Sequence, residues 1–340
     1  MKDLKFLNSL EYRYIEKADV KNIVSLWNEE IYQKEIYAEF SEEDFENRFL
    51  NNPSYKKEGT VIAYLGKEFV GCGVSCFHKN SDPNTSCGFI TLLFVKEKYR
   101  RHGLGSEILK RLEKYILDSG RTVIRNYFGA PMNLKWYVPG YDKHEHAGAP
   151  AVPFNTSYYF LLLANGYNVN GQHDGYHVNL ENFEMDEKVL AKMKENEADG
   201  YTITFYDKNK HHGFDEMFDA LQNEGFRAAV HNVLAKPNPD PLLIVQKDGE
   251  ILGFTGPVRT EPSGRAYLAG VAIHPKAQKR GLGKTMFCEL CRRSKENGAK
   301  FMTLFTGSDN RARNIYLYAG LRVVMSFVVM KKELVKQWEK

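Results

Sequence analysis

No window of this 340-residue chain approaches the roughly 18 uninterrupted apolar residues that a membrane-spanning helix requires. The opening MKDLKFLNSLEYRY also lacks the sustained apolar stretch of a secretory signal. The sequence therefore reads as a soluble, non-exported, cytoplasmic protein with no membrane partner. Cysteine is scarce and odd in number, five in all, at positions 72, 76, 87, 288 and 291; this excludes a secreted disulfide framework and fits reduced thiols. Cys288 and Cys291 form a C-x-x-C, but no second pair or histidine cluster accompanies it. Buried small residues are expected there, with no metal and no redox pair. A dominant charge is missing too. A net charge of +4 is too small to argue for nucleic acid, although it is compatible with a small anionic ligand.

What is present is a globular composition, 43% apolar and 26% charged, on a chain long enough for two domains. A repeat marks them out. QKRGLGKT at 278–285 ends like a P-loop, but that spacing needs a glycine where Gln278 stands, and the dinucleotide fingerprint needs one where Met286 stands. Its counterpart is RRHGLGS at 100–106. Each copy follows an apolar extended run, FITLLFV or AYLAGVAI, and each precedes helical apolar spacing: Ile108, Leu109, Leu112 and Ile116 in one, Met286, Phe287, Leu290 and Cys291 in the other. Strand, glycine turn and amphipathic helix thus occur twice.

A helix that starts at such a loop offers unpaired N–H groups and the positive end of its dipole, and glycines let an anion reach them. Gly103, Gly105, Gly281 and Gly283 are the expected anion cradles, with Arg100, Arg101, Lys279, Arg280 and Lys284 as flanking cations. Taken singly, either loop could also be a plain tight connection with solvated charges. Further on, each half has a short helix stopping at a glycine, Gly166 or Gly320, and feeding a strand. Upstream, each opens with a short strand and helix, then a hairpin turning at Gly66 or at Asp248-Gly249. The first copy is longer by about 24 residues, assigned to a loop over 129–155 rich in Gly, Pro, His and aromatics. His144, Glu145 and His146 within it could be metal ligands or a base, and are more simply solvated. The expected division is a domain over 1–181, a bridging helix over 182–200 and a second domain over 201–340.

This order of elements, with Arg100-x-x-Gly103-x-Gly105 and Gln278-x-x-Gly281-x-Gly283, resembles the GCN5-related N-acetyltransferase (GNAT) superfamily, here in tandem. The resemblance implies a mixed α/β fold repeated twice, acetyl-CoA as co-substrate, and a small-molecule or peptide amine as acceptor. It implies that each loop holds the pyrophosphate of coenzyme A through residues 100–106 (Arg100, Arg101, His102, Gly103, Leu104, Gly105, Ser106) and 278–285 (Gln278, Lys279, Arg280, Gly281, Leu282, Gly283, Lys284, Thr285). The preceding strands, Leu93 to Val95 and Val271, Ala272 and Ile273, would pair with pantetheine. A family tyrosine four residues before the helix-ending glycine protonates the departing thiolate, which corresponds to Tyr316 in the second half. In the first half the same count lands on Leu162, with Tyr158 and Tyr159 near enough to substitute. Asn310 is one residue out of register with the family asparagine. The base is open among a water relay, Glu261 and the long loop; Trp136, Tyr137 and Tyr141 are candidate walls of the acceptor side. The expected activity is direct attack of a primary amine on the thioester, in the second domain, by a monomer of paired domains or a homodimer. A non-catalytic acyl-CoA sensor and an aminoacyl or long-chain acyltransferase on the same fold are the alternatives.

Overall fold

The computed structural model describes residues 3–31, 36–126 and 132–334. In chain order the first half contains α1 (Leu4–Asn8), β1 (Leu10–Arg13), α2 (Val20–Leu26), α3 (Glu42–Phe45), β2 (Thr60–Leu65), β3 (Glu68–Cys76), β4 (Phe89–Val95), α4 (Leu104–Asp118), β5 (Val123–Asn126), β6 (Trp136–Tyr137), β7 (Glu145–His146), β8 (Val152–Pro153), α5 (Ser157–Ala164) and β9 (Asn168–Asn179). After α6 (Glu187–Ala198) the plan returns: β10 (Thr202–Phe205), α7 (Phe214–Leu221), α8 (Glu224–Leu234), β11 (Leu243–Lys247), β12 (Glu250–Gly256), β13 (Arg265–Ala266), β14 (Gly270–Ile273), α9 (Leu282–Glu296), β15 (Phe301–Gly307), α10 (Arg313–Tyr318) and β16 (Arg322–Glu333). No helix among the described residues is long and apolar enough to cross a membrane.

Two compact units form. One comprises Met1–Tyr141, Glu145–Asp174 and Met325–Lys340; the other comprises Asp142–His144 and Gly175–Val324. A single cut near 181 therefore does not divide the chain, and residues 325–334 complete the first unit instead of the second. Residues 182–200 are not a free bridge either. Helix α6 lies in the second unit, where Val189 joins the core with Phe287 and Leu290 of α9.

In the first unit, β1 to β4 form an antiparallel sheet in sequence order. Ile108, Leu109, Leu112 and Ile116 on one face of α4 pack against Val61, Ala63, Val70 and Ile90, the face the helical spacing marks out. On the opposite side, Trp27, Phe45 and Phe49 pack against Cys72, Val74 and Phe94. Strand β5 pairs with the end of β16, Asn126 opposite Met330 and Val123 opposite Glu333, and β8 pairs with Phe327 and Val328 of the same strand. The 129–155 segment is more ordered than its composition suggests. Its first residues, 129–131, lie outside the described residues, but β6 pairs with β7, and Trp136 is fully buried against Phe327, ring centroids 5.1 Å apart.

In the second unit, β10, β11, β12 and β14 form the matching antiparallel sheet, with α7 and α8 packing Phe214, Met217, Phe218 and Val230 against Ile244 and Phe254. The run 266–273, expected as one strand, is two. Arg265 and Ala266 pair in parallel with Phe301 and Met302, whereas Gly270 to Ile273 pair with β12. The strand changes partner across Tyr267–Ala269, so β14 and β15 diverge. The first unit does the same: Gly88 bridges Ile124 in parallel, but among the described residues β4 pairs onward only with β3, with a register shift that leaves Thr91 outside the ladder between Ile90 and Leu92.

Candidate active site

Both glycine loops are built alike. After β4, Arg101 takes a left-handed φ of 69° and Gly103, at φ 97°, caps α4; after β14, Lys279 has φ 66° and Gly281, at φ 78°, caps α9. A non-glycine residue there costs on the order of 1 kcal/mol or more, and a side-chain tie holds each loop in place. Arg100 Nε donates to the carbonyl of Val95 at 2.9 Å, and Gln278 Nε2 donates to that of Ile273 at 3.0 Å. The leading Arg or Gln of the motif thus fastens the loop to the end of its strand. Left-handed residues two positions apart, followed by a helix start, favour an anion-binding concavity of N–H groups.

The second glycine of each pair has a packing cause beside the one the sequence suggests. A Cβ on Gly105 would lie 3.3 Å from Leu161 and 3.8 Å from Val95; one on Gly283 would lie 3.2 Å from Ile315 and 3.5 Å from Ile273. These glycines let the start of the long helix approach the short helix and the strand end.

A cleft of about 690 Å³ opens in the first unit. Seven expected residues meet there: Leu93 and Val95 from β4, and Arg100, Arg101, Gly103, Gly105 and Ser106 from the loop and the first turn of α4. Helix α5 contributes Tyr158, Phe160, Leu161 and Ala164, and Trp27, Tyr37 and Leu134 complete the apolar part. His102 and Leu104 do not line it. Leu104 is buried under α4, and the His102 ring lies 3.7 Å from the carboxylate of Asp3 and edge-on to Phe6.

Where β4 and β5 part, Asn126 fills the gap with its side chain. Its Oδ1 accepts the N–H of Ile90 at 3.1 Å, and its Nδ2 donates to the Tyr158 hydroxyl at 3.0 Å; that hydroxyl in turn donates to the Ile90 carbonyl at 3.2 Å. Burial pushes the Tyr158 phenol well above its ordinary pKa, so it stays protonated. Leu162, at the position four before Gly166, is fully buried in the core.

In the second unit the expected residues are placed as follows. Val271, Ala272 and Ile273 pair with β12. Leu282 and Thr285 are buried, the Thr285 hydroxyl donating back to the Leu282 carbonyl at 3.1 Å, so neither side chain is available to a ligand. Arg280 lies 3.3 Å from Asp199 and over the ring of Tyr201, and Lys284 sits over Tyr318. Asn310 Oδ1 accepts from the N–H of Ala312 at 2.9 Å, closing the turn before α10. Tyr316 is 7% exposed. It packs between Tyr176 and Phe287, and burial raises its phenol to about 12. Glu261 is ion-paired with Arg265 at 2.6 Å.

The remaining candidates are committed elsewhere. Trp136 is a core residue, not an acceptor wall. Glu145 pairs with Lys135 at 3.1 Å, and His146 Nδ1 is 2.8 Å from the Gly148 carbonyl. His144 stacks on Phe301 and meets His177, ring nitrogens 2.8 Å apart. Cys288 and Cys291 are buried in α9, and burial pushes the Cys288 thiol up to about 12. No group of three or more potential metal ligands occurs among the described residues.

The sequence model of the acetyltransferase (GNAT) family matches residues 21–130 and 193–320, the two stretches that carry the two loops. This chain belongs to the GNAT family. A curated relative, an uncharacterized N-acetyltransferase of Archaeoglobus fulgidus, is 28% identical over 123 residues, 35% of this chain and 82% of the relative. Among solved structures, a GCN5-related N-acetyltransferase from Sphaerobacter thermophilus aligns over 96% of both chains at a TM-score of 0.59 and 16% identity. A tandem GNAT protein from the clavulanic acid biosynthesis pathway aligns over 96% of this chain and 99% of its own, at 0.56 and 13%. A GCN5-related glucosamine N-acetyltransferase region of a fungal multi-domain β-N-acetylglucosaminidase aligns over 95% of this chain, which spans 38% of the fungal chain, at 0.65 and 13%. At these identities the structures establish the shared tandem GNAT fold.

Within that GNAT fold the sequence reading overlooked Asn126, Trp27, Tyr37 and Leu134. Each is remote in sequence from the glycine loop it accompanies, and no local pattern signals their meeting. Tyr158 was legible as a tyrosine near the expected position, one helical turn before Leu162.

Proposed function

We propose that this protein transfers an acetyl group from acetyl-CoA to a primary amine by direct attack, and that the cleft of the first unit takes the acyl-CoA. The observation that carries this reading is the continuity of the cleft, which joins the unpaired edge of β4 near Thr91 and Leu93 to the loop at Arg100, Arg101 and Gly103. An extended pantetheine arm can add to a free strand edge as another strand would, while a pyrophosphate finds N–H groups, a helix dipole and two guanidinium groups at one end. Acetyl-CoA supplies an acyl group already activated as a thioester. The chain positions it and excludes water with the apolar wall of Trp27, Tyr37 and Leu134. The second loop, with Lys279, Arg280 and Lys284 about it, is a second candidate pyrophosphate site. Tyr316 is the candidate acid there, provided its ring leaves the core.

Calorimetric titration of acetyl-CoA into the wild-type chain, Gly103→Glu and Gly281→Glu tests the reading. A carboxylate at a left-handed cap would both strain the turn and repel the phosphates, so binding is expected to vanish from the first unit in Gly103→Glu. Loss only in Gly281→Glu would move the site to the second unit, and no binding to the wild-type chain would overturn the proposal.

A further inference from the structure

We propose that a small chamber beside the first unit's cleft is an acyl pocket, so that the site recognises short-chain acyl-CoAs up to butyryl and not acetyl-CoA alone, with Ala151 limiting the chain length. This rests on the reading of that cleft as the acyl-CoA site. The chamber, about 50 Å³, adjoins the cleft and shares Tyr37, Thr91, Leu134 and Tyr158 with it. It lies at the end remote from the glycine loop. That loop follows the C-terminal end of β4, so an arm anchored at Arg100 and Gly103 and running back along the strand passes Leu93 and reaches Thr91. A group carried beyond the sulfur of that arm then meets Ile90, Thr91 and Asn126, which line the chamber.

The walls suit an alkyl chain. Ile90, Met132, Leu134, Ala149 and Val152 are buried and present carbon to the space, and Ala151 joins them. No charged side chain lines it among the described residues. Its polar side chains are already engaged with the protein. The Thr91 hydroxyl donates to the Val74 carbonyl at 3.2 Å, the Asn126 amide is shared between the Ile90 N–H and the Tyr158 hydroxyl, and that hydroxyl donates to the Ile90 carbonyl. A charged or strongly polar group entering here would lose its water without gaining a partner, whereas a methylene only leaves water. Size then sets the length. A water-sized group takes roughly 10–15 Å³ of cavity, so the chamber holds about three to five of them. The carbons of a propionyl or butyryl tail fit within that count, and an octanoyl tail exceeds it. An acceptor amine with a body of its own also exceeds it, which leaves the acyl tail as the occupant.

Calorimetric titration of the full chain with acetyl-, propionyl-, butyryl- and octanoyl-CoA tests this without an acceptor. Each carbon added up to butyryl should tighten binding about three- to fourfold, the effect of burying one methylene, and octanoyl-CoA should lose that gain. Ala151→Leu fills the chamber; it should bind acetyl-CoA within about threefold of wild type, and butyryl-CoA no more tightly than acetyl-CoA. Should that variant not fold, the wild-type series decides by itself. With acetyl-CoA bound, a flat series, weaker binding of butyryl-CoA or a gain that continues to octanoyl-CoA overturns the acyl pocket and leaves the cleft reading intact. A full butyryl gain in folded Ala151→Leu does the same. Absence of binding by every acyl-CoA to the wild-type chain instead overturns the cleft reading and this inference with it.

Discussion

Arg100 and Gln278 do the same work with different chemistry, each returning a side-chain N–H to the last carbonyl of its strand. The hydrogen bond, not the charge, is the shared requirement, whereas Arg100 alone adds a cation to the cleft. Arg100→Ala should therefore weaken acetyl-CoA binding about thirtyfold, by loosening the loop and removing an ionic partner, each worth about 1 kcal/mol. Arg100→Gln should recover the part due to the loop, and calorimetry separates the two. At this scale the glycine loops were legible because left-handed backbone and close helix packing restrict residue type locally. The Asn126–Tyr158 pair was not, because only the divergence of β4 from β5 brings position 126 to position 158. Gly105 and Gly283, expected as anion cradles, also stand where a Cβ would crowd Leu161 and Ile315.

At the scale of elements, hairpins and long helices were readable from turn residues and apolar spacing, and β4 matches its run FITLLFV residue for residue. Partnership was not readable. The pattern that makes β16 a strand says nothing about which sheet receives it, and its end pairs with β5 of the first unit. Likewise 266–273 is apolar throughout, so the break at Tyr267–Ala269 leaves no mark in composition. Phe327, fully buried on β16, packs on Trp136 and sits opposite Pro153. Phe327→Ala should cost about 3–5 kcal/mol and, because β16 holds the backbone of Asn126, should weaken acetyl-CoA binding at the first unit as well. Denaturant unfolding and titration of the same variant check both.

For the molecule as a whole, two units share one plan and differ in what they keep open. Tandem architecture was evident from the repeat, since two copies of strand, loop and helix cannot share one core. The long insertion of the first half has the composition of a loop because its hairpin is too short to show a period. One of its residues, His144, belongs to the second unit and shares a hydrogen bond with buried His177. Burial, and then His144, hold the His177 pKa down to about 4, with Glu181 and Lys300 acting on His144 from the same neighbourhood. A histidine held below its ordinary value of about 6.5 takes up its proton more readily when unfolded. Its neutral packing therefore favours the fold fully above about pH 6.5 and progressively less as pH falls toward 4. The melting temperature should drop over that interval, and His177→Gln should flatten the drop; scanning calorimetry at a series of pH values reads it.

The exchange of the last strand also sets an order of events during synthesis. Positions 3–126 carry the first sheet, its long helix and its glycine loop, yet beyond its bridge to Gly88 β5 pairs with residues 330–333. A ribosome making this chain must pass residue 333 before the first unit can close. Until then β5 presents an unpaired edge, the kind of surface that chaperones guard and that stray strands exploit. The half that begins first is thereby the half that matures last.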